Sequence, residues 1–262
     1  MPAERELPGV RGTTRGGIGV RSRYALIWCE DADKWQTHRG RWPGLMQTGE
    51  CGWDVFEVYD GRLPARVSDY AGYVVSGSHY SCLDDSLVWL SSLFEFLRAC
   101  VHASGPAGRI VAGCFGQQAI ARALDGEVQA GAKFVVGREH IELSPNIVRH
   151  PRGEVLIPNR TGPSGFSLYQ SHGDVVTTLP PGALAWARSP TAPYEIFTIG
   201  QRVLAFQGHP ELTAADVRTH ILPYLVSEQR VSEDQARCAD RSLDRPVDAD
   251  RLLELARRFL KP

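Results

Sequence analysis

Arg109-Ile-Val-Ala-Gly-Cys114-Phe-Gly-Gln-Gln118-Ala-Ile-Ala-Arg-Ala-Leu124 is the stretch whose reading decides the fold. Its first five residues make a brief apolar run of strand length. Phe115–Leu124 is helix-forming, and Asp125-Gly126 closes it. Cys114 falls at the bend between the two, where Gly113 and Gly116 let the backbone turn tightly. A bend of this kind lifts its central side chain to the top of a sheet.

Upstream, Tyr24–Trp28 reads as a buried strand, Trp53–Tyr59 as a second, and Tyr73-Val74-Val75 as a third ending in Ser76-Gly77-Ser78. The stretch from Cys29 to Gly52 is expected to be a long functional or mobile loop. Its Trp35 and Trp42 either shape specificity or anchor packing. Ser81-Cys-Leu-Asp84 has capping-box spacing, with Leu87, Leu90, Phe94, Leu97 and Val101 recurring at helical intervals until Gly105-Pro106. Downstream, residues 138–208 are richer in short strands and turns. Tyr194–Ile199 and Val203–Phe206 form a hairpin, with Gly200 first in a II′ turn. Thr213-Ala-Ala-Asp216 caps a helix that Pro223 should end or kink. Ser232-Glu-Asp-Gln235 starts another, and Asp248–Leu260 closes the chain as an amphipathic helix. This alternation predicts an α/β fold, an open and mostly parallel sheet with helices on both faces. Residues 24–262 are expected to form a single domain, behind a solvated, disordered tail over 1–23 that carries five arginines.

Composition narrows the function classes. With 262 residues, 43% hydrophobic, 23% charged and a net charge of −1, the chain has no global field drawing it to nucleic acid or an anionic membrane. No apolar stretch approaches the roughly 18 residues of a membrane helix. Six cysteines without a C-x-x-C pair favour free thiols over a zinc knuckle or a disulfide framework, hence a reducing, cytosolic compartment. The Arg-rich tail leaves an organellar address open, although Glu4 and Glu6 count against a transit peptide. There is no G-x-S-x-G, no G-K-[ST], and no dinucleotide fingerprint around Gly17 and Gly19. His140-x-Glu142 lacks a downstream P-C-x-x-C. Neither a cofactor nor a metal is expected.

What remains is thiol chemistry. A cysteine at the first turn of a helix meets unpaired N–H groups that favour negative charge and can receive an oxyanion. A lone cysteine is ordinarily an inert core residue, but glycines on both sides at a strand–helix junction point to a nucleophile. His209, following the strand Val203–Phe206, would reach the same rim and carry its proton, with Glu211 orienting the ring. By itself a strand-end histidine is as readily a satisfied polar residue; the pairing with Cys114 favours catalysis. His172, in Gln170-Ser171-His172-Gly173-Asp174, is expected in a loop before a strand, as a substrate-side wall or a turn stabiliser. The Gly77-Ser78 turn is either an ordinary βα loop or a source of backbone N–H beside Cys114, since ligands bind outside the carboxyl ends of strands.

Cys114-Phe-Gly-Gln-Gln118 together with His209-Pro-Glu211 resembles the class I glutamine amidotransferase family, over about Tyr24 to Leu225. Tyr73-Val-Val-Ser-Gly-Ser78, Asp84-Asp85 ahead of Trp89, Tyr194-Glu-Ile-Phe-Thr-Ile-Gly200 and Phe206-Gln-Gly-His-Pro-Glu211 look most like its stand-alone γ-glutamyl peptidases, known from plants. The resemblance implies a flavodoxin-like fold, with Cys114, His209 and Glu211 as a triad. It further implies an oxyanion hole from the N–H groups of Gly77 or Ser78 and Phe115, and Gln118 beside the glutamyl group. The implied reaction is hydrolysis of a γ-glutamyl amide, in peptides such as glutathione or its conjugates, through a thioester. The alternatives are a glutaminase subunit feeding ammonia to a separate synthetase, a partner allowed but not required, and a non-catalytic binding protein on the same scaffold. Two positions depart from the family pattern. Ala112 replaces a usual glycine two before the nucleophile, and His79 stands where proline often follows the Ser-Gly turn.

Overall fold

The strands, in chain order, are β1 (Arg23–Trp28), β2 (Gly52–Glu57), β3 (Gly72–Val75), β4 (Arg109–Gly113), β5 (Glu127–Leu143), β6 (Gly165–Thr178), β7 (Ala183–Arg188), β8 (Ile196–Ile199) and β9 (Val203–Phe206). The computed structural model describes residues 22–47, 49–104, 107–145, 147, 155–156 and 165–261. Within these the strands join in one sheet of order β2-β1-β3-β4-β9-β8-β7-β5-β6. From β2 through β9 the pairings are parallel, and from β9 to β6 they are antiparallel.

Alternation along each central strand builds a core on both faces. Ala25 and Ile27, Ile110 and Ala112, Val203 and Ala205 point to one side. There they meet α2 (Trp89–His102) and α3 (Phe115–Ala123). Leu26, Val74, Val111, Leu204 and Phe206 point to the other side, against α7 (Ala249–Leu260) and Trp42 of α1 (Arg41–Met46). Strands buried on both faces read as continuous apolar runs, which is why β1, β3, β4 and β9 were recognisable.

Several expectations shift. The Cys29–Gly52 loop holds a 3-10 helix (Asp33–His38) and α1. Strand β2 stops at Glu57, where the chain enters a 3-10 turn closed by Gly61 at φ 74°. Helix α2 begins at Trp89 rather than at the Ser81 capping box. Ser81 Oγ donates to Asp174 and accepts the Leu83 N–H, while Asp84 is taken by Ser86, so both side chains hold a turn instead. Residues 127–178, read downstream of 138 as short strands, contain two long arms, β5 and β6, kinked by register shifts. Arg23, expected at the end of the tail, already belongs to β1, while residues 1–21 and Gly105-Pro106 lie outside the described residues.

Strand β8 begins at Ile196 rather than Tyr194, and the hairpin and both capping boxes are present. Ile199 accepts from Arg202 N–H around Gly200 at φ 51°, giving a loop of three residues between β8 and β9. Thr213 and Asp216 make a reciprocal capping box at α4 (Ala214–Asp216), as Ser232 and Gln235 do at α6 (Glu233–Ser242). Pro223 does not end the helix. A π turn, Val217–Ile221, widens the backbone just ahead of it, and α5 (Leu222–Ser227) continues. Such a turn absorbs the clash between a proline ring and the carbonyl four residues back.

Helix α3 lies directly against β3, where a Cβ at Gly116 would fall 2.7 Å from the Val75 carbonyl oxygen. Gly116→Ala is therefore expected to cost about 1–3 kcal/mol in urea unfolding, despite alanine's better helix propensity. Unchanged stability would mean that α3 can move off the sheet freely.

Candidate active site

Adjacent parallel strands end side by side here, with Gly113 of β4 opposite Phe206 of β9. The Cys114 N–H donates to the Phe206 carbonyl at 2.8 Å, and Gln118 N–H to the Cys114 carbonyl at 3.1 Å. Between those two bonds Cys114 is forced to φ 50°, ψ −112°, a region non-glycine residues rarely visit. Gly113 permits it, since a Cβ there would sit 3.0 Å from the Phe206 ring. Ala112, the first departure from the family pattern, is fully buried in β4 and leaves the bend intact.

The chain beyond β9 returns to the same point. The His209 N–H donates to the Tyr169 carbonyl at 2.9 Å, which pins the residue to β6. Its Nδ1 lies 2.8 Å from Glu211 Oε1. Its Nε2 lies 3.4 Å from the Ser171 carbonyl oxygen, and Cys114 Sγ lies 3.7 Å from that same oxygen. Sulfur and imidazole also interact directly. Burial disfavours a charged ring, but the Cys114 sulfur and then the Glu211 carboxylate outweigh it and raise the His209 pKa well above its ordinary value.

Gly77 closes the third side. A Cβ at this position would lie 3.3 Å from His209 Cε1 and 3.6 Å from Cys114 Cβ. Glycine is thus what lets the turn after β3 approach the pair. Phe115, the first residue of α3, has no intrahelical acceptor for its N–H. The N–H groups of Gly77 and Ser78 likewise meet no acceptor among the described residues. Ser78 Oγ donates to the Cys29 carbonyl, and Cys29 N–H donates to Ser76 Oγ, tying the turn to the end of β1.

His79, the second departure, is anchored to Glu30. Both its N–H (2.8 Å) and its Nδ1 (2.6 Å) meet that carboxylate, whose hydrogen bond raises the His79 pKa. Glu30 went unnoticed in the sequence. Its signal was its position two residues beyond the carboxyl end of β1, where ligand-facing residues gather.

Gln118 is buried, and its amide nitrogen is fixed by the Asp174 carbonyl at 2.9 Å and Gln207 Oε1 at 3.2 Å. His172 lies inside β6 rather than in a loop, because β6 extends unbroken from Gly165 to Thr178. Burial, aided by the charge of His209, lowers its pKa to about 4, and neither ring nitrogen has a hydrogen-bond partner of good geometry. Glu195, also missed, is fully buried and accepts from Gln170 Nε2 with both oxygens, at 3.1 and 3.2 Å. Burial pushes its pKa up to about 7. Its signal was a carboxylate in the apolar run leading into β8.

One cavity of about 170 Å³ joins these groups. Cys114, His209, Gly77, Ser78, Gln118 and His172 line it, and beyond them lie Glu30, Lys34, Trp35, Arg41, Trp42, Phe134, Tyr224 and Arg230. Arg41 was not foreseen. It donates to the Glu211 carbonyl at 3.0 Å and to Asp216, thereby tying the turn that carries Glu211 to helix α4. The set of a buried thiol, a proton-holding imidazole and a carboxylate on that ring is equipped for nucleophilic attack on an acyl carbon. Among the other thiols, burial drives the pKa of Cys82 and Cys100 up to about 12, and that of Cys29 higher still.

Comparison with known proteins agrees with the architecture. Residues 109–226 match the family described as glutamine amidotransferase class-I. A Saccharomyces cerevisiae protein whose name places it among the glutamine amidotransferases is 30% identical over 73% of this chain and 79% of its own length. Gamma-glutamyl peptidase 3 of Arabidopsis thaliana is 27% identical over 93% of this chain and 98% of its own. The crystal structure of a glutamine amidotransferase from Thermotoga maritima superposes with a TM-score of 0.68 at 17% identity, covering 92% of this chain and 99% of that one. The chain belongs to the class I glutamine amidotransferase family, with the flavodoxin-like α/β fold of its members. Among the described residues no helix is long and apolar enough to cross a membrane.

Two measurements probe the electrostatics. Glu195 carries a proton in the folded state that the unfolded chain loses above the ordinary value of 4.5, so stability falls as pH rises from there to about 7. Glu195→Gln is expected to stabilise the protein by about 1–3 kcal/mol near pH 8.5 and to have little effect near pH 4.5. A gain of the same size at both pH values would contradict a buried, titrating carboxylate. Separately, Cys114 is expected to react with iodoacetamide at neutral pH faster than Cys238, although only the latter is exposed. Mass spectrometry showing Cys238 ahead would argue against an activated sulfur.

Proposed function

We propose that this protein is a hydrolase that cleaves the γ-glutamyl amide bond of γ-glutamyl peptides, such as glutathione or its conjugates, through a thioester on Cys114. The observation that carries this reading is the convergence of Cys114 Sγ and His209 Nε2 on the Ser171 carbonyl, with Cys114 at the N-cap of α3.

In the first half-reaction the Cys114 thiolate attacks the γ-carbonyl carbon, forming a C–S bond. The carbonyl oxygen takes up negative charge, and the N–H groups of Phe115 and of Gly77 or Ser78 receive it. His209, protonated at Nε2 and oriented through Nδ1 by Glu211, gives that proton to the amide nitrogen. The C–N bond breaks, the amine leaves, and a γ-glutamyl thioester remains. In the second half-reaction His209 takes a proton from water, whose oxygen attacks the thioester. The C–S bond breaks, glutamate departs, and thiolate and imidazolium are restored. Gln118 and the neutral His172 wall the glutamyl group.

The full-length likeness to a plant γ-glutamyl peptidase supports free hydrolysis over ammonia transfer. No cofactor and no synthetase is required by these steps. Released glutamate should be measured from γ-glutamyl dipeptides and from glutamine. Cys114→Ala is expected to abolish release, and His209→Asn to reduce it at least about 100-fold, the ordinary contribution of a positioned general base. Turnover persisting in Cys114→Ala would end this reading. Glutamine turnover that appears only on adding a synthetase would assign the chain to ammonia supply, and no turnover with normal Cys114 labelling would leave a binding protein.

A further inference from the structure

Among the described residues, two cations on the cavity wall form no ion pair. Lys34, in the 3-10 helix Asp33–His38, and Arg230, just past α5, both line the cavity that contains Cys114. Neither has a carboxylate within ion-pair distance among the described residues, whereas Arg41, the other arginine of the lining, is bound to Asp216. Lys34 is half-buried and Arg230 is exposed, so both charges are open to the cavity and to solvent.

Both are held in place without being neutralised. Lys34 Nζ lies 3.7 Å from the centre of the Tyr224 ring and donates to the His220 carbonyl at 3.3 Å. That carbonyl belongs to the π turn, where the ordinary helical ladder is interrupted. The guanidinium of Arg230 lies 4.7 Å from the centre of the Phe134 ring. Its backbone is set by Gln229, a non-glycine residue at φ 54°, and by Arg230 N–H donating to the Leu225 carbonyl at 2.9 Å. Ring faces orient cations while leaving their charge available. Glu30, the carboxylate whose charge Lys34 feels, is committed to His79 and to the N–H groups of Ala32 and His79. Burial lowers the Lys34 pKa, as expected for an ammonium in want of an anion.

The same cavity is lined by the nucleophile and Gln118 and by these cations with their rings, Tyr224 and Phe134. Resting on the hydrolase reading above, we infer that Lys34 and Arg230 form a leaving-group subsite that binds the carboxylate of the departing amine. The preferred substrates would then be γ-glutamyl amides of amino acids and peptides, whose amine product is itself an anion-bearing amino acid. Glutamine and simple γ-glutamyl alkylamides, which carry no charge on that side, would be poor. The aromatic rings beside the cations suit an acceptor carboxylate attached to an apolar or thioether-bearing side chain.

The test compares γ-glutamylglycine with γ-glutamylglycinamide, which differ only in the leaving-group charge. Wild-type protein is expected to favour the acid in kcat/KM by about tenfold or more, the worth of a charge-assisted hydrogen bond. Lys34→Met and Arg230→Met should each pull that ratio toward one by about tenfold, and Lys34→Arg should keep it. Because both substrates are read on one sample, the ratio does not depend on how much of a variant is folded. In the wild type, raising NaCl from about 0.05 to about 0.5 M should increase KM for the acid and not for the amide. A wild-type ratio near one, a ratio unmoved in both variants, or equal salt effects on the two substrates would overturn the subsite while leaving the hydrolase intact. Cleavage of neither compound would overturn both together.

Discussion

The backbone of Cys114 is held at φ 50°, ψ −112°, and the rest of the site is arranged around keeping it there. A non-glycine residue in such a region costs of order 1–3 kcal/mol and persists only when its surroundings over-determine it. Here they do. The Cys114 N–H is captured by β9, its carbonyl by the first turn of α3, and the glycines at 113 and 116 abut the Phe206 ring and the Val75 carbonyl. Relieving the strain would require α3 to leave the sheet. The benefit is geometric: the sulfur stands at the end of the sheet with the open N–H groups of a helix beneath it.

The electrostatics of the site separate two histidines that lie close enough to feel each other. His209 faces a sulfur and a carboxylate, which together favour its protonated ring although most of its surface is covered. His172 faces His209 and has no anion of its own, so burial and the neighbouring charge hold it neutral, with a pKa near 4. The charged form is thus favoured in one ring and disfavoured in the other. This division follows chiefly from the partners each ring has, since both are largely covered. Glu195 adds a further buried carboxylate nearby, whose elevated pKa near 7 reflects how little in its surroundings compensates the charge.

The antiparallel half of the sheet and the C-terminal helices complete what the parallel half begins. Strand β6 supplies the Ser171 carbonyl on which sulfur and imidazole converge and the Tyr169 carbonyl that positions His209. The segment from Thr213 to Ser227 contributes Tyr224 and the His220 carbonyl, which hold Lys34, while Asp216 ties Arg41 and His38 together at its start. Proline 223 and the π turn ahead of it are part of that wall, because the interrupted ladder leaves a carbonyl to accept the lysine. A cavity reaching from Cys114 to Arg230 exists only because these distant segments fold over the strand ends.

Much of this was written locally. The strands β1, β3, β4 and β9, the helix α3, the capping boxes at Thr213 and Ser232, and the closing helix at 249–260 follow from apolar runs, spacing and short-range hydrogen bonding, which neighbouring residues control. The same locality made Cys114 legible, since its glycines are adjacent in sequence, and made Glu211 legible as the partner of His209 two residues away. The structure alone settled what depends on segments far apart in the chain. Ser81 turned to Asp174 rather than capping a helix, because a partner 93 residues away outcompeted the local N–H groups. Glu30, Lys34, Arg41, Glu195 and Arg230 carry no motif; each acquires its environment from chain that folds over it. The meeting of Cys114 and His209 at the Ser171 carbonyl likewise rests on strand order, which periodicity within a segment does not encode.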